Sequence, residues 1–253
     1  MRIATWNVNS IRARIDAVVD WVGRLEPDVL CMQETKVVDD DFPTDELQRL
    51  GYAVAMAGQK TYNGVAIASR LPMRDLSIGH SDGAADPEQR LIAATIGGLR
   101  VLSAYIPNGK AIDNPSFAAK LRFFERLTRT LEPLGSVALC GDFNVAPDER
   151  DVFDPEQMRG QLHFHPDEHQ ALARLMALGL VDAYRLHHPE AERYSWWDYR
   201  GGGIQKNQGL RIDLVLLSRD LAERCTGAEI DLAERQKSRP SDHAPVFVDV
   251  DCG

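Results

Sequence analysis

Residues 137–144 read VALCGDFN, four apolar residues and a glycine running straight into Asp142 and Asn144. An unbroken apolar run of that length is the pattern of a β-strand buried on both faces, predicted over residues 137–140. The polar pair then sits at its carboxyl end. The same design recurs along the chain: RIATWN ends in Asn7, VLCMQE in Glu34, and VLSAYIPN in Tyr105 and Asn108. Two later stretches reverse it, because Asp213 opens the run DLVLL and the pair Asp242-His243 immediately precedes APVFVDV. If the last strands run antiparallel to the others, all six groups meet along one edge of the sheets.

Outward from these strand ends, β-rich runs and helical patterns alternate along the chain. Further strands are predicted over residues 2–6, 29–32, 52–56, 65–68, 91–96, 101–106, 212–217, 228–232 and 246–250. Ile11, Ile15, Val18, Val19, Val22 and Leu25 recur at helical spacing after Ser10, a good N-cap, and Pro27 stops that helix. Phe117, Leu121, Phe124, Leu127 and Leu131 mark a second helix. Leu172, Leu175, Met176 and Leu178 mark a third, with Asp167 as its start. Helices placed between groups of strands suit two packed β-sheets covered on each side by helices. No glycine-rich dinucleotide or P-loop fingerprint is present.

The chain has 253 residues, 44% hydrophobic and 26% charged, the composition of a soluble globular protein. No linker or repeat divides it, so a single catalytic domain over residues 1–253 is expected. The opening MRIATWN lacks the pattern of a secretory leader and no apolar stretch reaches membrane-spanning length, so a cytoplasmic protein is expected. Four dispersed cysteines without a C-x-x-C pair suggest neither a disulfide framework nor a zinc knuckle. The net charge of −9 argues against bulk electrostatic binding of nucleic acid. It leaves open a local basic rim beside an acidic site.

Carboxylates gathered at one edge repel one another and raise each other's pKa unless a cation sits among them. A donor set of Asp, Glu and Asn, with one histidine and no cysteine, favours Mg²⁺ or Mn²⁺ over Zn²⁺. The reaction class that fits is metal-assisted hydrolysis of a phosphate ester.

The ordered series ATWNVNSIRAR, LCMQETK, YNGVAIAS, AYIPNG, GDFNVAP, GLVDAYR, YSWWDYR, GLRIDLVLLS and SDHAPV resembles the exonuclease III family of abasic-site endonucleases, across nearly the whole chain. The resemblance implies the four-layer α/β/β/α sandwich of the deoxyribonuclease I-like fold. The implied activity acts on double-stranded DNA with abasic sites or damaged or recessed 3′ ends, in a monomer. It further implies Glu34 as the main metal ligand, supported by Asn7, with Asp242 close enough to bind the ion; Asp142, Asn144 and His243 complete the candidate metal set. His243, held by Asp213, would orient the scissile phosphate, and Asp142 would handle the proton of the attacking water, helped by Asn144. Tyr105 and Asn108 would donate to phosphate oxygens, and Lys110 would contact a phosphate. Trp196 would wall the pocket for an extruded sugar or terminal nucleotide, and Arg200 would reach the DNA groove. Of Trp196 and Trp197, one is expected in the core. Arg200, Lys206, Arg211, Arg235, Lys237 and Arg239 form a candidate basic rim.

His163 departs from the family pattern, standing where members that cut abasic sites carry a small residue. An imidazole there would fill the space an extruded sugar needs while leaving a frayed 3′ end free to react, which predicts 3′-end processing without abasic-site cleavage. The alternative is that His163 points to solvent. A zinc site built from His163, His165 and His169 is disfavoured by their spacing. Rival readings are a phosphoesterase of the same fold acting on RNA or a small phosphate ester, and a DNA-binding protein that has lost catalysis. The second is opposed by the complete residue set.

Overall fold

The computed structural model describes residues 1–84, 86–190 and 192–252. Two six-stranded mixed sheets stack face to face. In the first, Arg2–Asn7 lies between Val29–Gln33, parallel to it, and Val246–Val250, antiparallel to it. Val65–Ser69 and then Ala53–Ala57 extend one side, and Cys225–Ile230 the other. In the second, Val137–Asp142 is parallel to Leu99–Tyr105 and antiparallel to Asp213–Ser218. Leu91–Ile96, Met73–Ile78 and Leu180–Asp182 complete that sheet. The late strands thus do run antiparallel to the early ones.

The alternation along Val137–Asp142 contributes to two layers of core, one on each face of its sheet. Ala138 and Cys140 face the other sheet, in the same core cluster as its Ile3, Val29, Cys31 and Val248. Val137 and Leu139 face outward and pack with Phe124, Leu127 and Leu131 of helix Pro115–Leu131 and with Leu172 and Leu175 of helix Pro166–Met176. On the far side of the first sheet, Ala4, Trp6, Leu30 and Met32 pack against Val18, Trp21 and Val22 of helix Ile11–Leu25. The result is the α/β/β/α sandwich. Gly141 is needed for the close approach of two strands, since a Cβ there would stand 1.9 Å from the Ala104 carbonyl oxygen.

Several expectations are corrected. Ser10 makes no side-chain cap; its amide and that of Ile11 instead bond to the carbonyls of Glu34 and Thr35, so the helix is docked onto the strand end it serves. The third helix is capped by His165, whose ring accepts the Asp167 amide while Glu168 accepts the His165 amide, so Asp167 lies in the first turn and is not the cap. Leu178 lies beyond its end. Cys225–Ile230 starts and ends earlier than the predicted 228–232. Met73–Ile78 was not anticipated because, as a mostly exposed edge strand with a bulge, it shows no buried alternation.

Candidate active site

Strand register brings the polar residues together. In one sheet Asp142 lies directly beside Tyr105 on one neighbour and Asp213 on the other. In the other sheet Asn7 pairs with Gln33, which sets Glu34 at the same level. Asp242 and His243 arrive from the turn before Val246, paired across from Thr5. Glu34, Asp142 and His243 present ligand atoms all within 4.8 Å of one another, and among the described residues this is the one cluster of its kind.

His243 is buried, with Nδ1 on Asp213 Oδ2 at 2.8 Å and Nε2 3.7 Å from Asp142 Oδ2. Burial pushes its pKa down, but the carboxylates of Asp213, Asp142 and Asp242 more than offset this and lift it to about 10. The ring is therefore an imidazolium at neutral pH. Burial lifts Asp142 to about 7, helped by Asp213 and Glu34 and opposed by His243 and Asn7. For Glu34, burial is outweighed by the Lys36 ammonium at 2.8 Å and the Asn7 amide at 2.8 Å, and the carboxyl stays below its usual range. Tyr105 is held as a phenol, its pKa raised by burial and by the charges of Glu34 and Asp142.

Asn7 enters differently from the expected oxygen ligand. Its Oδ1 accepts the Asn9 amide, so its Nδ2 faces the cluster and donates to Glu34 and to Asp142, at 2.9 Å for the latter. It bridges the two carboxylates. Asn144 is likewise engaged within the protein, its Nδ2 donating to the Ile106 carbonyl and its Oδ1 accepting from Asn108 Nδ2 at 3.1 Å. Asp242 accepts from Asn9 Nδ2 and from Trp196 Nε1, which leaves it beside the Glu34–Asp142–His243 group. Glu34 and Asn144 both adopt left-handed backbone, φ 52° each. Such strain on residues other than glycine gathers at functional sites.

Trp197 belongs to the core and Trp196 to the site, where its ring centroid lies 6.3 Å from His163 and 6.4 Å from His243. His163 does not point to solvent. Its Nδ1 lies 2.6 Å from the Asn144 carbonyl and its Nε2 3.5 Å from Asn108 Nδ2, and burial, with the charge of Lys120, holds its pKa down to about 3. His165 and His169 pack elsewhere, against Phe117 and Phe164, so the three histidines form no zinc site. Asn108 and Lys110 are exposed and line a cleft of 610 Å³ beside Tyr105.

The basic rim is half as large as expected. Arg200, Lys206 and Arg239 are exposed. Arg211 is wholly buried against Asp151 and Asp182, Arg235 is buried against Ser241 and the Trp197 and Tyr199 rings, and Lys237 pairs with Asp20 and Glu234. Residues that sequence reasoning missed include Ser195, whose hydroxyl donates to Asp213 Oδ2 at 2.6 Å, and Asn9. Single short polar residues in loops or beside aromatic ones carry no periodic signal that would have singled them out.

A profile of the endonuclease/exonuclease/phosphatase family matches residues 4–243. Exodeoxyribonuclease III of Haemophilus influenzae is 34% identical over 98% of this chain and 99% of its own length. Among solved structures, the 3′ phosphatase NExo from Neisseria bound to a product DNA hairpin superposes with a TM-score of 0.97 at 42% identity, covering 99% of both chains. An AP endonuclease from Archaeoglobus fulgidus superposes with a TM-score of 0.95 at 40% identity, again over 99% of both.

Proposed function

Since the chain belongs to the endonuclease/exonuclease/phosphatase family and is a DNA-repair nuclease of the exodeoxyribonuclease III and AP endonuclease type, we propose that it works with Mg²⁺, chiefly on damaged or phosphate-blocked 3′ ends of duplex DNA. The observation that carries the 3′-end preference is the placement of His163. Its ring stands among the Asn144 carbonyl, the Asn108 amide and the Trp196 ring, and in this reading it competes with an extruded abasic sugar for the space beside the phosphate. A frayed 3′ terminus needs no such space.

The residues fit a hard divalent cation. Oxygen donors predominate, and the carboxylates outnumber the cations around them. Glu34 would hold the ion, with Asp142 and Asp242 beside it, and the bound ion would supply charge neutralisation at the phosphate. The imidazolium of His243 does not serve as a ligand in this reading; fixed by Asp213, it donates to a phosphate oxygen. Asp142, buried beside His243 at the centre of the cluster, would take the proton of the attacking water. The phenol of Tyr105 donates to the developing charge. Exposed Lys110 and Arg200 contact the DNA backbone and groove, and Asn108 gains a phosphate contact by turning from Asn144.

The test is a side-by-side assay on labelled duplexes carrying a 3′-phosphate, a recessed 3′-hydroxyl, an internal abasic site or no lesion, with Mg²⁺ and with EDTA. Release of 3′-phosphate should exceed abasic incision, and EDTA should abolish both. His163→Gly should raise abasic incision about tenfold or more and leave 3′-phosphate release nearly unchanged, an order-of-magnitude expectation for freeing space in a pocket. Equal rates on the two substrates in the unmodified protein would defeat the blocking idea.

A further inference from the structure

Beneath the acidic cluster a second cation is sealed into the protein. Lys120, in the middle of helix Pro115–Leu131, has no exposed surface. Its ammonium donates to the Asn144 carbonyl at 2.6 Å, to the Asn108 carbonyl at 3.3 Å and to the carboxylate of Glu168. A lysine has three N–H donors, and each has its own acceptor here. Glu168 alone would be enough to balance the charge. The other two bonds go to the backbone of the two asparagines whose side chains already join each other through Asn108 Nδ2 and Asn144 Oδ1.

We propose that Lys120 is a positioning residue of the phosphate site, clamping the carbonyls of Asn108 and Asn144 so that both segments are held in register with Asp142. Asn144 follows Asp142 by two residues, and its amide N–H donates to Asp142 Oδ1 at 2.9 Å, so a shift at its carbonyl reaches the carboxylate directly. The left-handed backbone of Asn144 gives the clamp something to oppose, because relaxing that strain would swing the peptide away. The same carbonyl faces His163 Nδ1, and since a carbonyl only accepts, that nitrogen carries the ring proton. Glu168 closes the circuit by accepting the His165 amide. One buried ammonium thus organises Asn108, Asn144 and the segment bearing His163.

The proposal rests on the cluster being the phosphate-cleaving site, which the unmodified enzyme tests by itself through EDTA-sensitive 3′-phosphate release; if that is absent, both readings fall. With activity present, Lys120→Met should lower the melting temperature, because Glu168 is left buried without its countercharge. Lys120→Met combined with Glu168→Met should recover most of that loss, while kcat stays about tenfold or more below wild type and KM for the 3′-phosphate duplex stays within about threefold. In that background Asn144→Ala should cost much less in kcat than it does in the unmodified enzyme. A double variant with wild-type kcat, or Asn144→Ala costs that simply multiply, overturns the clamp. Should the methionine variants fail to fold, Glu168→Gln decides. It removes the ion pair but leaves both carbonyl bonds, so kcat within about threefold of wild type is expected, and a loss of about tenfold would place the effect in the ion pair.

Discussion

Two buried charge clusters lie side by side in this protein and are built on opposite principles. In one, Arg211 reaches both oxygens of Asp151, at 2.5 and 3.1 Å, and Asp182 at 2.7 Å, while Arg185 reaches Asp151 at 2.5 Å. Two guanidinium groups meet two carboxylates. Two residues along the same chain, Asp213 belongs to the other cluster, where Asp142, Asp213, Glu34 and Asp242 are set against the imidazolium of His243 and the ammonium of Lys36. The first is neutralised by its own residues and serves the fold. The second keeps a surplus of negative charge, and its members show it: Asp142 is driven up to about 7 while His243 is driven up to about 10. Such a surplus is tolerable where a cation is to be bound and a proton moved.

The sharpest way to break this contrast is to remove one charge from each cluster, a carboxylate from the acidic one and a guanidinium from the neutralised one. Asp142→Asn should lower kcat by about 10²–10⁴, the range for losing a general acid or base, with little change in affinity for DNA. Its melting temperature should not fall, because a repelling carboxyl has been made neutral. Arg211→Met should do the reverse, costing about 3–5 kcal/mol because Asp151 and Asp182 are left buried and uncompensated. The enzyme that remains folded should keep its kcat. Urea melts and single-turnover phosphate release on both variants check this, and a large stability loss in Asp142→Asn would erase the distinction.

A smaller effect sharpens the comparison from the ligand side. Mg²⁺ or Mn²⁺ should stabilise the unmodified protein by about 2.7 kcal/mol at a hundredfold excess over Kd. Arg211→Met should respond equally. Glu34→Ala should lose most of its activity at low Mg²⁺ and recover in part at high Mg²⁺, because weaker ligands remain. A melting temperature indifferent to both ions, or a half-activating Mg²⁺ concentration unmoved by Glu34→Ala, would show that the surplus charge has another purpose.

The edge where these polar residues converge was legible in the sequence because buried strands read as apolar runs, so Asn7, Glu34, Asp142 and Asp213 stand out at their ends. Which side of the chemistry each falls on was not legible. Asn7 turns its amide nitrogen to the carboxylates because Asn9 takes its oxygen, a choice made by a neighbouring loop. Arg211 and Arg235 look like surface charges in the sequence, since nothing local announces Asp151 and Asp182, or the Ser241 carbonyl, as their partners. Lys120 hid for the opposite reason: it lies on the buried stripe of its helix, three residues after Phe117 and four before Phe124, but nothing local announces Glu168 and the two carbonyls that make a lysine acceptable there. Pairings over long sequence separations carry no periodic trace.

The mildest test uses histidines whose pKa is lowered, with the site's own histidine as the contrast. Burial, then Arg126, holds His80 down to about 4, and burial, then Lys120, holds His163 down to about 3. Both folded values lie below about 6.5 for an unfolded histidine, so the native state binds fewer protons. Their contribution is complete above pH 6.5 and is lost as the pH falls toward about 4 and 3. His243 has the opposite sign, since its raised pKa makes a contribution that is complete below pH 6.5 and lost as the pH climbs toward about 10. Replacing His80 with Leu should therefore flatten the acid limb of stability while leaving the alkaline limb alone. Side-chain exposure does not complicate the comparison, because His80 is buried against Phe123, 4.6 Å between ring centroids. Urea melts at pH 7.5 and pH 5 measure the difference between variant and parent, in which titrating carboxylates common to both cancel. If the drop between the two pH values is as steep in His80→Leu as in the parent, the acid limb does not come from this histidine.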